Sequence, residues 1–308
     1  MRRAAASLPL APLLVTSLLL TSLLAAGCTS EAAGDLDLEV GGAFGARPTI
    51  HFPDGKPVAG LQVDELATGK GERLGDGDVA IVQYTAHVWD GRDNRLVDSS
   101  FNRGTPAAFP VGELLPGLER ALKGRTVGSR VIAAIPPGDG FGANPPQGVA
   151  AGEELFYVVD ILGAHRKGAS VESAAGTLAG VRVGGGARPA LAVPAGPPPA
   201  KFSAKVLSKG DGRVVRAGQL VVTQYEAAVW SRRRIFDATW AGGGPKAFKL
   251  GDGSVIRAWD KALSGVPVGS RVLMIVPPAD GYGRAGNPAY GIKGSDTLVF
   301  VVDLLAAY

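Results

Sequence analysis

The chain has 308 residues, 46% of them hydrophobic, with 45 glycines, 22 prolines, one cysteine and a formal net charge of +4. That charge is too small for its length to suggest a nucleic-acid binder, and a single cysteine excludes a disulfide framework or a thiolate metal site. The length, after a short leader, suits two ordinary domains with apolar cores.

The leader comes first. Arg2 and Arg3 precede an apolar stretch from Leu8 to Ala26, which closes on "LLAAGC" at the only cysteine, Cys28. A charged start, an apolar run and small residues before a cut site make a secretory signal. An uncleaved anchor is the bland alternative, since the stretch is nearly long enough to span a bilayer. Cysteine directly after Ala-Ala-Gly resembles the bacterial lipobox, with Ala25 where Leu is common. That resemblance implies residues 1–27 as signal peptide and Cys28 as the lipidated N-terminus, on an extracytoplasmic membrane face. Residues 28–45, small, acidic and Gly-rich, read as a flexible tether.

From there the chain repeats itself. "ARPTIHFPDGKPVAG" from Ala46 answers "ARPALAVPAGPPPAK" from Ala187, and "VAIVQYTAHVW" from Val79 answers "LVVTQYEAAVW" from Leu220. "TVGSRVIAAIPP" from Thr126 answers "PVGSRVLMIVPP" from Pro267, and "LFYVVDIL" from Leu155 answers "LVFVVDLL" from Leu298. The offset between the copies stays nearly constant and is as long as an ordinary domain. It therefore means two tandem domains, 46–165 and 187–308, and not a short-repeat solenoid. The stretch 166–186 between them is poor in large apolar residues and ends in three glycines, so it reads as a flexible Gly/Ala/Ser linker.

Within each unit the β-rich runs just quoted predict strands, two of them stopped by Pro-Pro. One stretch per unit reads as helix, "PGLERALKG" from Pro116 and "IRAWDKALSG" from Ile256. Ile256, Trp259 and Leu263 fall on one helical face and Gly265 stops the run. The expected class is α+β, an antiparallel sheet wrapped on one short helix in each repeat.

The order of motifs is the informative part. "QY", a hairpin, "FDATW" or "VDSSF", then "VIRAWDKAL" or "LLPGLERAL", then "VGSR" and "PPADGYG" or "PPGDGFG" resembles the FKBP-type peptidyl-prolyl cis-trans isomerases, over both repeats. The resemblance implies a five- or six-stranded antiparallel sheet around a short helix, isomerisation of X-Pro bonds, and no metal or cofactor. In the second repeat it implies Trp259 as a floor for the prolyl ring, with Tyr225, Phe236, Val255, Ile256 and Phe300 as walls and Ile292 near the rim. The Ile256 amide and the Tyr282 hydroxyl would donate to the substrate, and Asp237 would tune polarity. In the first repeat Tyr84, Asp98, Leu114, Leu115 and Tyr157 match. Val97 stands where Phe is usual, Leu118 where the floor Trp is, and Phe141 where the tyrosine donor is. Arg103 lies five residues after Asp98, at the place of an arginine common near that aspartate; the second repeat has Gly242 there.

Val97, Leu118 and Phe141 make the second repeat the expected catalyst and leave the first a weaker one, while Arg103 beside Asp98 is the one feature that favours the first. The alternatives are a lipid-anchored binding module, in which one or both pockets hold a proline-containing polypeptide without turnover, and a surface spacer. A monomer is expected. His51, His87 and His165 lack ligand spacing, and "GDGFGANPPQG" lacks the strand-to-helix setting of a phosphate loop. Arg232–Arg234 fall in a hairpin turn, where an anionic lipid contact is the alternative to solvent.

Overall fold

A computed structural model describes residues 31–33, 36, 38–55, 59–90, 92–173 and 175–308, so the stretch read as a signal peptide and Cys28 lie outside the described residues. The first repeat runs β1 (Glu31–Ala33), β2 (Leu38–Gly41), β3 (Thr49–His51), β4 (Gln62–Ala67), β5 (Val79–Trp89), β6 (Asn94–Ser99), α1 (Ser100–Arg103), β7 (Ala107–Pro110), α2 (Pro116–Leu122), β8 (Arg130–Ile135) and β9 (Leu155–His165). The second runs β10 (Gly176–Leu178), β11 (Val181–Val183), β12 (Leu191–Ala192), β13 (Ser203–Ser208), β14 (Leu220–Val229), β15 (Arg234–Ala238), β16 (Lys246–Lys249), α3 (Arg257–Leu263), β17 (Arg271–Val276) and β18 (Leu298–Ala307).

Each repeat carries a six-stranded antiparallel sheet. The orders are β4-β8-β9-β5-β6 and β13-β17-β18-β14-β15, with β7 and β16 completing the edge along β5 and β14. The central strands are long because Val, Ile, Tyr and Thr recur through them, and their side chains pack well on a pleated surface. On one face the seven-residue helix of each repeat is buried, α2 through Leu118 and Leu122 and α3 through Trp259 and Leu263. In the second repeat the chain leaves the helix at Ser264, whose ψ is 130°, and Gly265 turns it away at φ 84°. That left-handed geometry costs glycine nothing.

The two stretches expected to be a tether and a linker are built structure instead. β1-β2-β3 and β10-β11-β12 are small antiparallel sheets. The first lays Leu36, Leu38 and Val40 over Trp89, Ile132, Ala134, Phe156 and Val158. The second lays Val181 and Val183 over Trp230, Leu273, Ile275, Val299 and Val301. Strands this short contribute only two or three apolar side chains each, too few to move the local composition. The period-2 pattern of "LDLEV" is the signal that was available. This cover explains why β8 and β17 are apolar at every residue after the opening arginine: both faces are buried, one by the helix and one by the small sheet.

A buried ion pair fastens each cover. Arg271 Nε donates to Asp303 Oδ1 at 2.6 Å and Nη2 to Oδ2 at 2.8 Å, while its N–H groups also reach the carbonyls of Gly186, Ala187 and Val171. In the first repeat Arg130 pairs with Asp160 in the same bidentate way and donates to Gly42 and Ala43. A fully desolvated guanidinium is tolerated here because the carboxylate and the carbonyls together take its donors.

The repeats meet through equivalent surfaces. Val79 and Ile81 of β5 cluster with Leu220 and Val222 of β14, flanked by Tyr308. His165 Nε2 and the Tyr308 hydroxyl, which occupy matching ends of β9 and of the chain, lie 2.9 Å apart across the join.

Candidate functional site

The site of the second repeat is assembled from four places in the chain. β14 supplies Tyr225, β15 supplies Phe236 and Asp237, α3 and the turn into it supply Trp259 and Val255 with Ile256, and β18 supplies Phe300. Together with Tyr282 they line one cavity of about 550 Å³. A register shift makes this convergence possible. Asp237 pairs with Ala227 but Ile235 pairs with Ala228, so Phe236 is an extra residue in a β-bulge. The bulge puts Phe236 and Asp237 on the cavity together, which strict alternation would forbid.

Trp259 forms the centre. Its ring meets Tyr225 at 5.4 Å, Phe248 at 5.1 Å and Phe300 at 5.8 Å, all three edge-to-face. Phe236 meets Phe300 at 6.4 Å and Tyr290 at 5.7 Å. Phe248 and Tyr290 also line the cavity, although neither stands out in the sequence. The signal for Phe248 is its counterpart Phe109, which packs on Tyr84 at 5.0 Å. Ile292 is placed differently from expectation: it is buried in the core cluster, and the exposed ring of Tyr290 stands beside Phe236 instead. The Ile292 amide donates to the Asn287 carbonyl and thereby turns the loop that carries Tyr290.

Polarity is confined to a few groups. The Tyr225 hydroxyl donates to Asp237 Oδ2 at 2.6 Å. Burial, reinforced by that carboxylate, raises the Tyr225 phenol far above its ordinary value, so it stays a donor. Burial also raises the Tyr282 phenol, against an opposing hydrogen bond with Asn287. Among the described residues no cation forms an ion pair with Asp237.

The first repeat gathers its matching residues but arranges them otherwise. Tyr84, Leu118 and Tyr157 are buried, with Val97, Leu114, Leu115 and Phe141 packed around them. Arg103 reaches over this group. It pairs with Asp98, donates to the Tyr84 hydroxyl at 2.8 Å and stands 5.4 Å from the Tyr84 ring centre. The Tyr84 hydroxyl donates to Asp98 as well. Burial works to raise Asp98, but the Tyr84 hydroxyl and the Arg103 guanidinium hold its carboxyl below the usual range. Burial and Asp98 push Tyr84 up to about 12, against the opposing pull of Arg103.

An aromatic bowl at the mouth of a helix-filled antiparallel sheet, with a matching frame in each repeat, can be compared with known proteins. The family model for FKBP-type peptidyl-prolyl cis-trans isomerases matches residues 70–162 and 212–305. The chain belongs to that family. An FK506-binding protein of Streptomyces anulatus is 40% identical over 119 residues, which cover 39% of this chain and 96% of that protein. Human peptidyl-prolyl cis-trans isomerase FKBP10 is 28% identical over 260 residues, which cover 83% of this chain but only 38% of the human protein. Among solved structures, FkpA from Escherichia coli matches 34% of this chain and 47% of its own at 33% identity, with a TM-score of 0.32. The three FKBP domains of wheat FKBP73 match 81% of this chain and 95% of their own at 23% identity, with a TM-score of 0.33.

Proposed function

We propose that this FKBP-type isomerase is a lipid-anchored, exported protein that turns over X-Pro bonds chiefly in its second repeat, on polypeptides folding outside the cytoplasmic membrane. The observation that carries the assignment to the second repeat is the aromatic cavity around Trp259, about 550 Å³ in volume and flanked by the Tyr282 phenol. The anchor rests on the Arg2–Cys28 leader, and no helix among the described residues is long and apolar enough to cross a membrane.

The chemistry needs no nucleophile. Rotation about an X-Pro bond faces a barrier of about 20 kcal/mol because the planar amide loses resonance as it twists. The twisted amide is less polar than the planar one. Walls of Trp259, Phe236, Phe300 and Tyr225 therefore disfavour the planar ground state relative to it, while the Ile256 amide and the Tyr282 hydroxyl orient the backbone. Lowering the barrier by about 7 kcal/mol corresponds to roughly 10⁵-fold acceleration.

In the first repeat Leu118 replaces the indole floor and Val97 the phenyl wall, so this unit binds proline segments with little turnover. The test uses the chain from Thr29 onward and follows cis-to-trans relaxation of a Leu-Pro peptide at low temperature. Phe236→Ala with Asp237→Ala removes the acceleration if the second repeat is the catalyst, with circular dichroism checking the fold. Retention of most of the rate transfers catalysis to the first repeat, and no acceleration in the wild type leaves a binding module. The anchor is tested separately, by loss of fatty-acid labelling in Cys28→Ala.

A further inference from the structure

Beside the prolyl cavity of the second repeat lies a second cavity of about 340 Å³. The two share Phe236 and Tyr290 as a common wall, and Arg232 and Arg234 line the far side. The β-bulge that delivers Phe236 also fixes Arg234. Asp237 pairs with Ala227 and Arg234 with Val229, and Ala227 and Val229 both lie in the core cluster on the cavity side of the sheet. Arg234 thus stands on the same face as the cradle, at its edge.

Comparison with the first repeat shows that this arginine has been released. Arg95 is the equivalent of Arg234, since it pairs with Val88 as Arg234 does with Val229. Arg95 is held by Glu153, with both carboxylate oxygens at 3.0 Å. The equivalent of Glu153 is Asp296: each stands two residues before its last strand, and each accepts from the amide three residues back, Ala150 or Lys293. Asp296 is already taken. Arg232, which has Gly91 as its counterpart, donates to Asp296 at 2.8 Å and to the Gly291 carbonyl at 2.6 Å. Among the described residues Arg234 forms no ion pair, and it lines the second cavity beside Arg232, whose charge Asp296 neutralises.

We propose that Arg234 is the centre of an anion subsite, and that the second repeat favours substrates with an acidic side chain within about two residues of the proline. The inference rests on the second repeat being the substrate site. The common wall sets the reach, because a single layer of side chains, Phe236 and Tyr290, separates the two cavities. An extended peptide advances about 3.3 Å per residue, so one or two residues carry a side chain from one cavity to the other. An acidic peptide is favoured over an anionic membrane surface because Arg234 lines a recess that shares a wall with the cradle. A flat bilayer would instead engage the convex tip of the turn, where Arg233 lies.

The test measures kcat/KM of the full-length chain on peptides built around Leu-Pro-Phe. Each has Glu or Gln placed two residues before or two residues after the proline, and is assayed at low and high salt. An exposed ion pair is worth little, so the expected Glu-over-Gln preference is about two- to fivefold at one of the two positions, shrinking with salt. Arg234→Gln brings the ratio to about one and Arg234→Glu reverses it, whereas a merely structural arginine would lower both rates and leave the ratio. Equal rates for Glu and Gln peptides in the wild type overturn the subsite. If Phe236→Ala still abolishes turnover in that case, the assignment of catalysis to the second repeat stands without it. If Phe236→Ala leaves turnover intact, both readings fall. Equal peptide rates together with weaker adsorption of Arg234→Gln to phosphatidylglycerol vesicles would assign the arginine to the membrane and overturn the peptide subsite.

Discussion

Trp259→Leu gives the second repeat the floor that the first repeat has in Leu118. The indole is buried and touches Tyr225, Phe248 and Phe300 edge-on, with centroids at 5.4 Å, 5.1 Å and 5.8 Å. Each such pair is worth about 0.5–1.5 kcal/mol beyond its buried area, and leucine fills only part of the space left. The second repeat should therefore lose about 2–4 kcal/mol of stability yet stay folded, because the ion pair of Arg271 and the cover of β10–β12 are untouched. A prolyl ring that leaves roughly 60 Å² of contact with the indole forfeits about 1.5 kcal/mol, or some tenfold in kcat/KM. Stopped-flow relaxation of a Leu-Pro peptide reads the rate, and a denaturant melt reads the stability. If the melt shifts as expected while kcat/KM stays within twofold of the wild type, the prolyl ring does not rest on Trp259 and the cavity has been misread.

Three further outcomes are expected. Arg271→Met leaves the Asp303 carboxylate buried and unpaired, which costs about 3–5 kcal/mol, whereas Arg271→Met with Asp303→Leu costs far less; limited proteolysis around residues 176–192 distinguishes the two. Burial raises the Glu154 carboxyl to about 7, and its Oε1 has no hydrogen-bond partner. The folded protein thus holds a proton that the unfolded chain releases near 4.5, and stability falls as pH rises from about 4.5 to about 7. Denaturant midpoints across that window should flatten in Glu154→Gln, and an unchanged slope refutes the assignment. Ile81→Lys sets a charge in the apolar seam against Leu220 and Val222, so calorimetry should resolve one joint transition into two, one for each repeat.

The repeats, the strands and the helices are legible because each carries a strong local signal. Long β-branched runs, Pro-Pro stops and one amphipathic helix per unit leave little freedom, and the motif order carries most of the site with it. Ile292 departs from its expected rim position because the burial of a loop residue depends on how its loop folds back. Asn287 and the amide of Ile292 decide that, through contacts close in sequence but without a compositional mark. The small sheets escape a reading of the sequence for a related reason. Three-residue strands have almost no propensity of their own, and "GTLAGVRVGGG" becomes a hairpin only because the apolar back of β17 and β18 waits beneath it.

The sequence alone determined that there are two copies of one α+β unit and that the second copy holds the fuller aromatic lining. Those properties follow from residue type and order, since periodicity and steric preference act over a few neighbours. Tertiary structure decided which charges are paired and which are free. Arg103 lies over Tyr84 in one repeat, Arg232 takes Asp296 in the other, and Arg234 is left facing the cavity. Nothing in the string "SRRR" distinguishes Arg232 from Arg234. An ion pair forms between groups that folding brings within about 4 Å. Here a bulge in β15 and a loop far along the chain settled which arginine met the carboxylate.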